Sequence, residues 1–268
     1  MKKSLSGKSR KDQVPTSWGA VASWYDRLLE ERADSYQRRV ILPNLLRLLG
    51  QVKGRRILDI GAGQGFFSRE MAARGALVTG IDAAEELVAL AKERAPAAEF
   101  IKARADQLPF SDGIFDAAMA ILALQNMENL NGVIFEAGRV IKATGRLLVV
   151  INHPAFRVPK RSSWGFDEEK NIQFRRIDGY LSDARVFIEM NPGSGGGTRT
   201  ISFHRPLQTY FKILAKNNFV VRRLEEWISP KVSQPGPRQA AEDKARKEFP
   251  LFLYLEAVKI SYKILGEG

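Results

Sequence analysis

The stretch Leu58–Phe67, "LDIGAGQGFF", decides how the chain is read. The run "RRILDI" (55–60) leads into it as a buried strand, and Phe66 to Arg74 reads as a helix. A strand-turn-helix of this kind turns backbone N–H groups and a helix N-terminus toward a ligand. Glycine is needed where a Cβ would block close approach. A dinucleotide-binding turn, Gly-x-Gly-x-x-Gly, would use Gly61 and Gly63 but would place its third glycine at 66, which is Phe; here the third is Gly65. Asp59, directly before the turn, is awkward beside an anionic pyrophosphate and suits a ligand carrying positive charge.

Downstream the rhythm repeats. "ALVTGI" (76–81), "AEFIKA" (98–103), "FDAAMAIL" (115–122) and "RLLVVIN" (146–152) read as strands. Helices fall between them at Glu85–Arg94 and Leu130–Lys142, the second capped by Asn129 or Asn131. Strands alternating with helices predict a parallel, doubly wound α/β sheet. Upstream, "WGAVASWYDRLLEE" and "YQRRVILPNLLRLL" have the pattern of two amphipathic helices.

Two acids follow strands at telling places. Asp82 ends the second strand, where a carboxylate can accept both hydroxyls of a ribose; the alternative is a surface Asp capping the next helix. Asp106, in "ARADQLPF", is placed to accept an adenine amino group, with Gln107 and Leu108 flanking the ring; the alternative is an ordinary turn Asp.

With these pieces in place the chain resembles the class I S-adenosylmethionine (SAM)-dependent methyltransferases, in particular the quinone-biosynthesis and small-molecule group. The matching segments are "ILDIGAGQGFFS", "VTGIDAAEELVALAKER", "ARADQLPF", "FDAAMAILALQNMEN" and "EAGRVIKATGRLLVVINHP", covering about 55–154 in the family's order. The resemblance implies a mostly parallel, seven-stranded Rossmann-like sheet with an antiparallel last strand, Phe219–Glu225 and Leu251–Ile260 supplying strands six and seven. It implies SAM as cofactor and S-adenosylhomocysteine as product. Asp59, Gly61, Ala62, Gly63 and Gly65 would hold the methionine end, Asp82 and Ala83 the ribose, and Ala105, Asp106 and Gln107 the adenine. Tyr25, in the N-terminal "WYD", would close over the cofactor or pack between helices, and Tyr36 is a second candidate of that kind.

The region 155–205 breaks the pattern. "ARVFIEM" (184–190) and "TRTISFH" (198–204) pair as a hairpin around "NPGSGGG", so an inserted β-hairpin lid is expected there. Seven aromatic residues fall in those 51 positions, a density above the chain's 9%. They fit either a lid over a small, partly apolar acceptor or simple packing of the hairpin. Ser229 to Lys247 holds three prolines and many charges and reads mainly as loop. The expected organisation is a flexible basic leader at 1–17 and a single domain from 18 to 268.

Composition narrows the chemistry. The 268 residues include no cysteine, which excludes disulfides, thiolate zinc sites and cysteine nucleophiles, and no metal is expected. No apolar run reaches the roughly 20 residues of a membrane span, and a cytoplasmic protein is the default expectation. The two histidines, His153 after the fifth strand and His204 after the hairpin, are candidate bases, and Gln125 with Asn126 could position an acceptor; each has a structural alternative. Net charge is +12, but Met1–Asp12 alone carries five basic residues against one acid. That balance leaves a nucleic-acid methyltransferase as the second reading. No RNA-binding module is present, and "LALQNM" (122–127) stands where amino-methylating nucleic-acid enzymes carry Asn/Asp-Pro-Pro-aromatic. A SAM-binding protein without catalysis is the third reading.

Overall fold

The computed structural model describes residues 18–190 and 198–260, apart from the side chains of Tyr25 and Leu28. The basic leader therefore lies outside the described residues. After a 3-10 turn, Gly19–Val21, come α1 (Ala22–Glu30) and, through a π-helical turn at Gln37–Ile41, α2 (Leu42–Leu49). The sheet strands and helices then alternate: β1 (Arg56–Ile60), α3 (Phe66–Ala72), β2 (Leu77–Asp82), α4 (Glu85–Arg94), β3 (Glu99–Lys102), β4 (Phe115–Ile121), α5 (Leu130–Val140) and β5 (Ile141–Asn152). Four shorter strands follow, β6 (Ser162–Asp167), β7 (Ile172–Ile177), β8 (Ala184–Glu189) and β9 (Arg199–His204). The chain closes with α6 (Leu207–Lys216), β10 (Phe219–Trp227), α7 (Gln239–Glu248) and β11 (Phe252–Lys259).

Seven strands form one sheet in the order β3-β2-β1-β4-β5-β11-β10. The first five are parallel, while β11 runs antiparallel to both β5 and β10. This is the expected doubly wound sheet with its reversed last strand. Alternation along each strand divides the core between two faces. Leu58, Ile60, Leu147 and Val149 pack with α5 and α6, whereas Ile57, Leu148, Val150 and Tyr254 pack with α2 and α3. Both faces are apolar because both are covered by helices.

Three sequence expectations are corrected. The region 155–205 holds two hairpins rather than one, β6–β7 and β8–β9, each a separate two-stranded sheet. The β6–β7 turn uses Asp167, whose carboxylate accepts the Lys170 N–H at 3.0 Å, and Asn171 at φ +50°, in place of glycine. The segment 229–247 is loop only in its first half, since α7 occupies its second half, with Ala245 as its buried residue. Finally, α5 ends at Val140 and β5 starts directly at Ile141; the pairing shifts between Phe115↔Ile141 and Ala117↔Arg146, so 142–145 bulges out of register. Asn129 is the α5 cap, accepting the Gly132 N–H at 3.0 Å.

The turn from β1 into α3 depends on glycine at a defined point. Gly65 has φ +85°, and a Cβ there would sit 3.0 Å from the Phe100 ring and 3.2 Å from the Ala91 Cβ. Gly65→Ala is expected to destabilise the fold by about 1–3 kcal/mol, from left-handed strain plus overpacking. Urea denaturation monitored by far-UV circular dichroism reads this as a lower midpoint with an unchanged slope.

Candidate cofactor and active site

At the carboxyl ends of β1, β2 and β4 lies a cavity of about 490 Å³. Ligands of open α/β sheets bind at this edge. One wall is the glycine turn. Gly61 and Ala62 donate their N–H groups to the Ile81 carbonyl, both at 2.9 Å, which pulls the turn down onto the end of β2. Gly61 and Gly63 line the cavity; Ala62 and Gly65 do not, and Gly65 serves the packing described above. A Cβ on Gly61 would lie 2.7 Å from the Ala123 Cβ, so the turn and the segment after β4 meet at this glycine.

Asp82 and Ala83 line the same cavity. The Asp82 carboxylate accepts Gly63 N–H at 3.0 Å and Ala84 N–H at 2.9 Å, one on each oxygen. Each oxygen keeps a lone pair for a ligand hydroxyl. Burial pushes its pKa up, against these backbone hydrogen bonds. Asp59 is 2% exposed and accepts the Ser68 hydroxyl at 2.7 Å, which places it behind the turn rather than on the cavity lining. Burial, opposed by Ser68 and aided by the Asp82 charge, raises its pKa to about 7.

A third wall comes from the loop after β3. Ala103, Arg104, Ala105 and Asp106 line it, while Gln107 is exposed and outside the lining. Arg104 grips Asp106 through Nε at 3.0 Å and Nη2 at 2.8 Å, and Asn129 Nδ2 adds a bond at 2.9 Å. Burial would raise the Asp106 pKa, but these partners hold it below the usual carboxylate value. The same loop is braced from α5. Glu136 accepts the Leu108 N–H at 2.7 Å, and Arg139 donates to the carbonyls of Leu108 and Phe110 at 3.0 and 2.6 Å.

The fourth wall follows β4. Leu122 is held at φ +55°, a conformation costly for a non-glycine residue. Its carbonyl accepts Gln125 Nε2 at 2.8 Å and Asn126 Nδ2 at 3.2 Å. Leu122, Ala123, Asn126, Met127, Glu128 and Asn129 face the cavity; Gln125 does not. Arg205, 7% exposed and directly after β9, reaches into this wall and donates to the carbonyls of Leu124, Met127 and Glu128 at 3.4, 2.8 and 2.7 Å.

The segment before α1 borders the cavity. Trp18 lines the cavity, and Gly19 sits against the Glu86 carboxylate at the start of α4. Two ion pairs tie α1 down, Asp26–Arg94 at 2.8 Å and Glu30–Arg69 at 2.9 Å, and Gln64 Nε2 of the glycine turn donates to Glu30 at 3.2 Å. The Tyr25 side chain lies outside the described residues. Tyr36 packs edge-on to Phe252, away from the cavity lining. Sequence reasoning missed Trp18, although its apolar neighbours signalled a helix entry, and missed Arg104 and Asn129, which act through Asp106.

Neither histidine lines the cavity. His153 is 4% exposed; its Nε2 pairs with Glu226 at 2.7 Å and its Nδ1 accepts the Ala155 N–H at 3.3 Å. Burial lowers its pKa, with Glu226 opposing. His204, equally buried, pairs through Nε2 with the Tyr180 carbonyl at 2.8 Å. The seven aromatic residues of 155–205 also fall outside the cavity lining.

The residues present fit SAM. The cavity offers carboxylates to hydroxyl and amino groups, and among the described residues its one lining guanidinium, Arg104, is closed onto Asp106, so no free cation of theirs waits for a pyrophosphate.

The raised pKa of Asp59 carries a stability cost. From about pH 4 to about pH 7 the unfolded chain has lost this proton while the folded chain retains it, so folding weakens as pH rises through that window. Asp59→Asn is expected to flatten that fall and to make the ligand-free protein more stable than the parent at pH 8, by a margin on the order of 1–3 kcal/mol. Denaturant midpoints at pH 5 and pH 8 check it.

Comparison with known proteins agrees with this geometry. Residues 58–149 match the methyltransferase domain family. The chain is 35% identical over 148 residues to the demethylmenaquinone methyltransferase of Tropheryma whipplei strain Twist, covering 53% of this chain and 60% of that protein. It is 30% identical over 135 residues to the malonyl-[acyl-carrier protein] O-methyltransferase of Pectobacterium atrosepticum, covering 50% and 51%. The chain thus spans less than two thirds of these relatives' own length. Among solved structures it resembles an S-adenosylmethionine-dependent methyltransferase of Mesorhizobium loti, with a TM-score of 0.66 at 24% identity over 84% of this chain and 98% of that one. A SAM-dependent methyltransferase of Methanosarcina mazei aligns with a TM-score of 0.54 at 22% identity, over 81% and 97%. Residues 58–149 thus match the methyltransferase domain family, within a fold shared with S-adenosylmethionine-dependent methyltransferases of known structure.

Proposed function

We propose that the protein transfers a methyl group from SAM to a small, partly apolar organic acceptor. The observation that carries this reading is the single cavity wall sequence of glycine turn, Asp82 and Asp106 at the carboxyl edge. Bound there, SAM supplies a methyl group already activated on a sulfonium. The chain's task is then to bind and align. Asp82, held by Gly63 and Ala84, accepts the ribose hydroxyls; Ala105 and Asp106 take the adenine; Gly61 and Gly63 face the methionine end. Alignment of the two reactants can account for about 7–11 kcal/mol of barrier lowering. Both histidine Nε2 atoms have partners away from the cavity, which supports catalysis by positioning over a histidine base. The names of the relatives, a quinone-pathway and an acyl-carrier-linked methyltransferase, support a small acceptor.

The net charge of +12 favours RNA as a second acceptor class. Labelled methyl transfer from SAM into a cell extract, with and without ribonuclease, separates the two. The small-acceptor reading expects label in small organic material that ribonuclease leaves in place; label that ribonuclease abolishes overturns it.

The cofactor assignment has its own test. SAM at about 100 times its dissociation constant should stabilise the fold by roughly 2.7 kcal/mol. That is a melting shift of roughly 5–10 °C for a chain of this size. NAD should give none; the reverse pattern overturns the assignment.

A further inference from the structure

A second cavity, of about 360 Å³, lies at the opposite edge of the sheet, where β1 and β4 begin and α2 ends. Three guanidinium groups line it, those of Arg55, Arg146 and Arg222, together with Asp116, Gln51 and Thr144. Arg146 is anchored. Its Nη1 and Nη2 donate to the Leu48 and Leu49 carbonyls at the end of α2, at 3.4 and 3.1 Å, and Nη1 reaches Glu256 at 3.4 Å. Glu256, 1% exposed, also accepts a hydrogen bond from Arg222 Nη2. Asp116 accepts Lys142 Nζ at 2.7 Å on one oxygen and the Arg56 N–H at 2.8 Å on the other. Arg55 approaches Asp116 only to 4.0 Å, and its side chain makes no hydrogen bond among the described residues.

Two irregularities of the backbone serve this cavity. The β10–β11 pairing slips between Val221 and Arg223, so Arg222 is the extra residue of a bulge on β10. The 142–145 bulge of β5 brings Thr144 to the lining and Lys142 to Asp116. Bulges are a means of re-aiming side chains beside a site. Four cations thereby converge on two acids: Arg146 and Arg222 on Glu256, Arg55 and Lys142 on Asp116. The positive excess stands in a walled space, where it is screened less than on an open surface. An excess of two charges matches a dianionic, tetrahedral group better than a single carboxylate. The volume falls at the small end of the range for ligand sites, about 300–1,000 Å³. No aromatic ring lines the cavity, so it gives a nucleobase no platform to stack on and suits a hydrophilic ligand.

We propose that this cavity is a second ligand site, which takes a small hydrophilic phosphate ester or diphosphate on Arg55, Arg146 and Arg222. It is separate from the cofactor cavity and does not rest on the methyl-transfer reading. Arg146, tied to α2 and Glu256, is the fixed wall; Arg55 and Arg222 close on the anion with the N–H groups that the fold leaves unused.

The test is calorimetric titration of the whole protein at low ionic strength with pyrophosphate, ribose 5-phosphate and neutral ribose. At least one phosphate compound is expected to saturate a single site per chain, and ribose to show no binding. Arg55→Gln and Arg222→Gln should each weaken that compound about tenfold, the loss of one charge-assisted hydrogen bond. Both side chains are more than half exposed, so the urea midpoints of the two variants should stay close to that of the parent and certify the fold. Arg185→Gln, an exposed arginine on β8, should leave the affinity unchanged and so controls for the general positive charge of the protein. Saturating S-adenosylhomocysteine should not displace the phosphate compound, because its cavity is at the other edge of the sheet. Failure of both phosphate compounds to saturate, an affinity unchanged in either Arg55→Gln or Arg222→Gln, an equal loss in Arg185→Gln, or displacement by S-adenosylhomocysteine overturns the proposal.

Discussion

The passage from β1 into α3 is the tightest constraint in the molecule. Within five residues the backbone must clear Ala123 at one end of the turn and Ala91 with Phe100 at the other. Only hydrogen fits at the Cα positions of Gly61 and Gly65, which adopt φ +72° and +85°. Because the turn is so low, Asp82 can take the Gly63 N–H, and the ends of β2 and β4 reach the same cavity. The glycines thus act on two levels. Gly65 makes the helix packing possible, and Gly61 with Gly63 leaves room for a ligand.

Most of this was legible because it is local. The strand–glycine–helix run at 55–74, the acid at the end of β2 and the acid after β3 each declare themselves within a few residues. The Asn129 cap is of the same kind. Features that depend on distant partners were not legible. Asp59 looked like a ligand-facing acid, but Ser68 on α3 and the fold around it place it behind the turn. Tyr36 looked like a cofactor lid, yet its partners are Phe252 and Ser229, more than 190 residues away. His153 found Glu226 on β10. The hairpin β6–β7 was hidden because Asp167 and Asn171 do the work that glycine or proline usually advertises. Helix α7 was hidden because prolines precede it and it buries so little apolar surface.

Charge is distributed with the same logic. Around the cofactor cavity acids dominate and their cations are bound to them, as Arg104 is to Asp106 and Arg139 to Glu136. Beyond the end of β5 the balance reverses, and Arg157 has no acid partner among the described residues. A protein with a net charge of +12 has many cations on its surface, so sign alone says little. What separates the two regions is whether each charge already has its partner inside the fold.

Arg205 joins the hairpin β8–β9 to the wall of the cofactor cavity through three carbonyl oxygens. Backbone carbonyls cannot turn away as side chains do, so a displacement of β9 is transmitted to Leu124–Glu128 rather than absorbed. A molecule whose binding displaced β9 would therefore change the affinity of the cavity for its nucleoside. By thermodynamic reciprocity the nucleoside then changes the affinity for that molecule by the same factor. One arginine and the three peptide groups it holds thus tie the hairpin to the cavity wall.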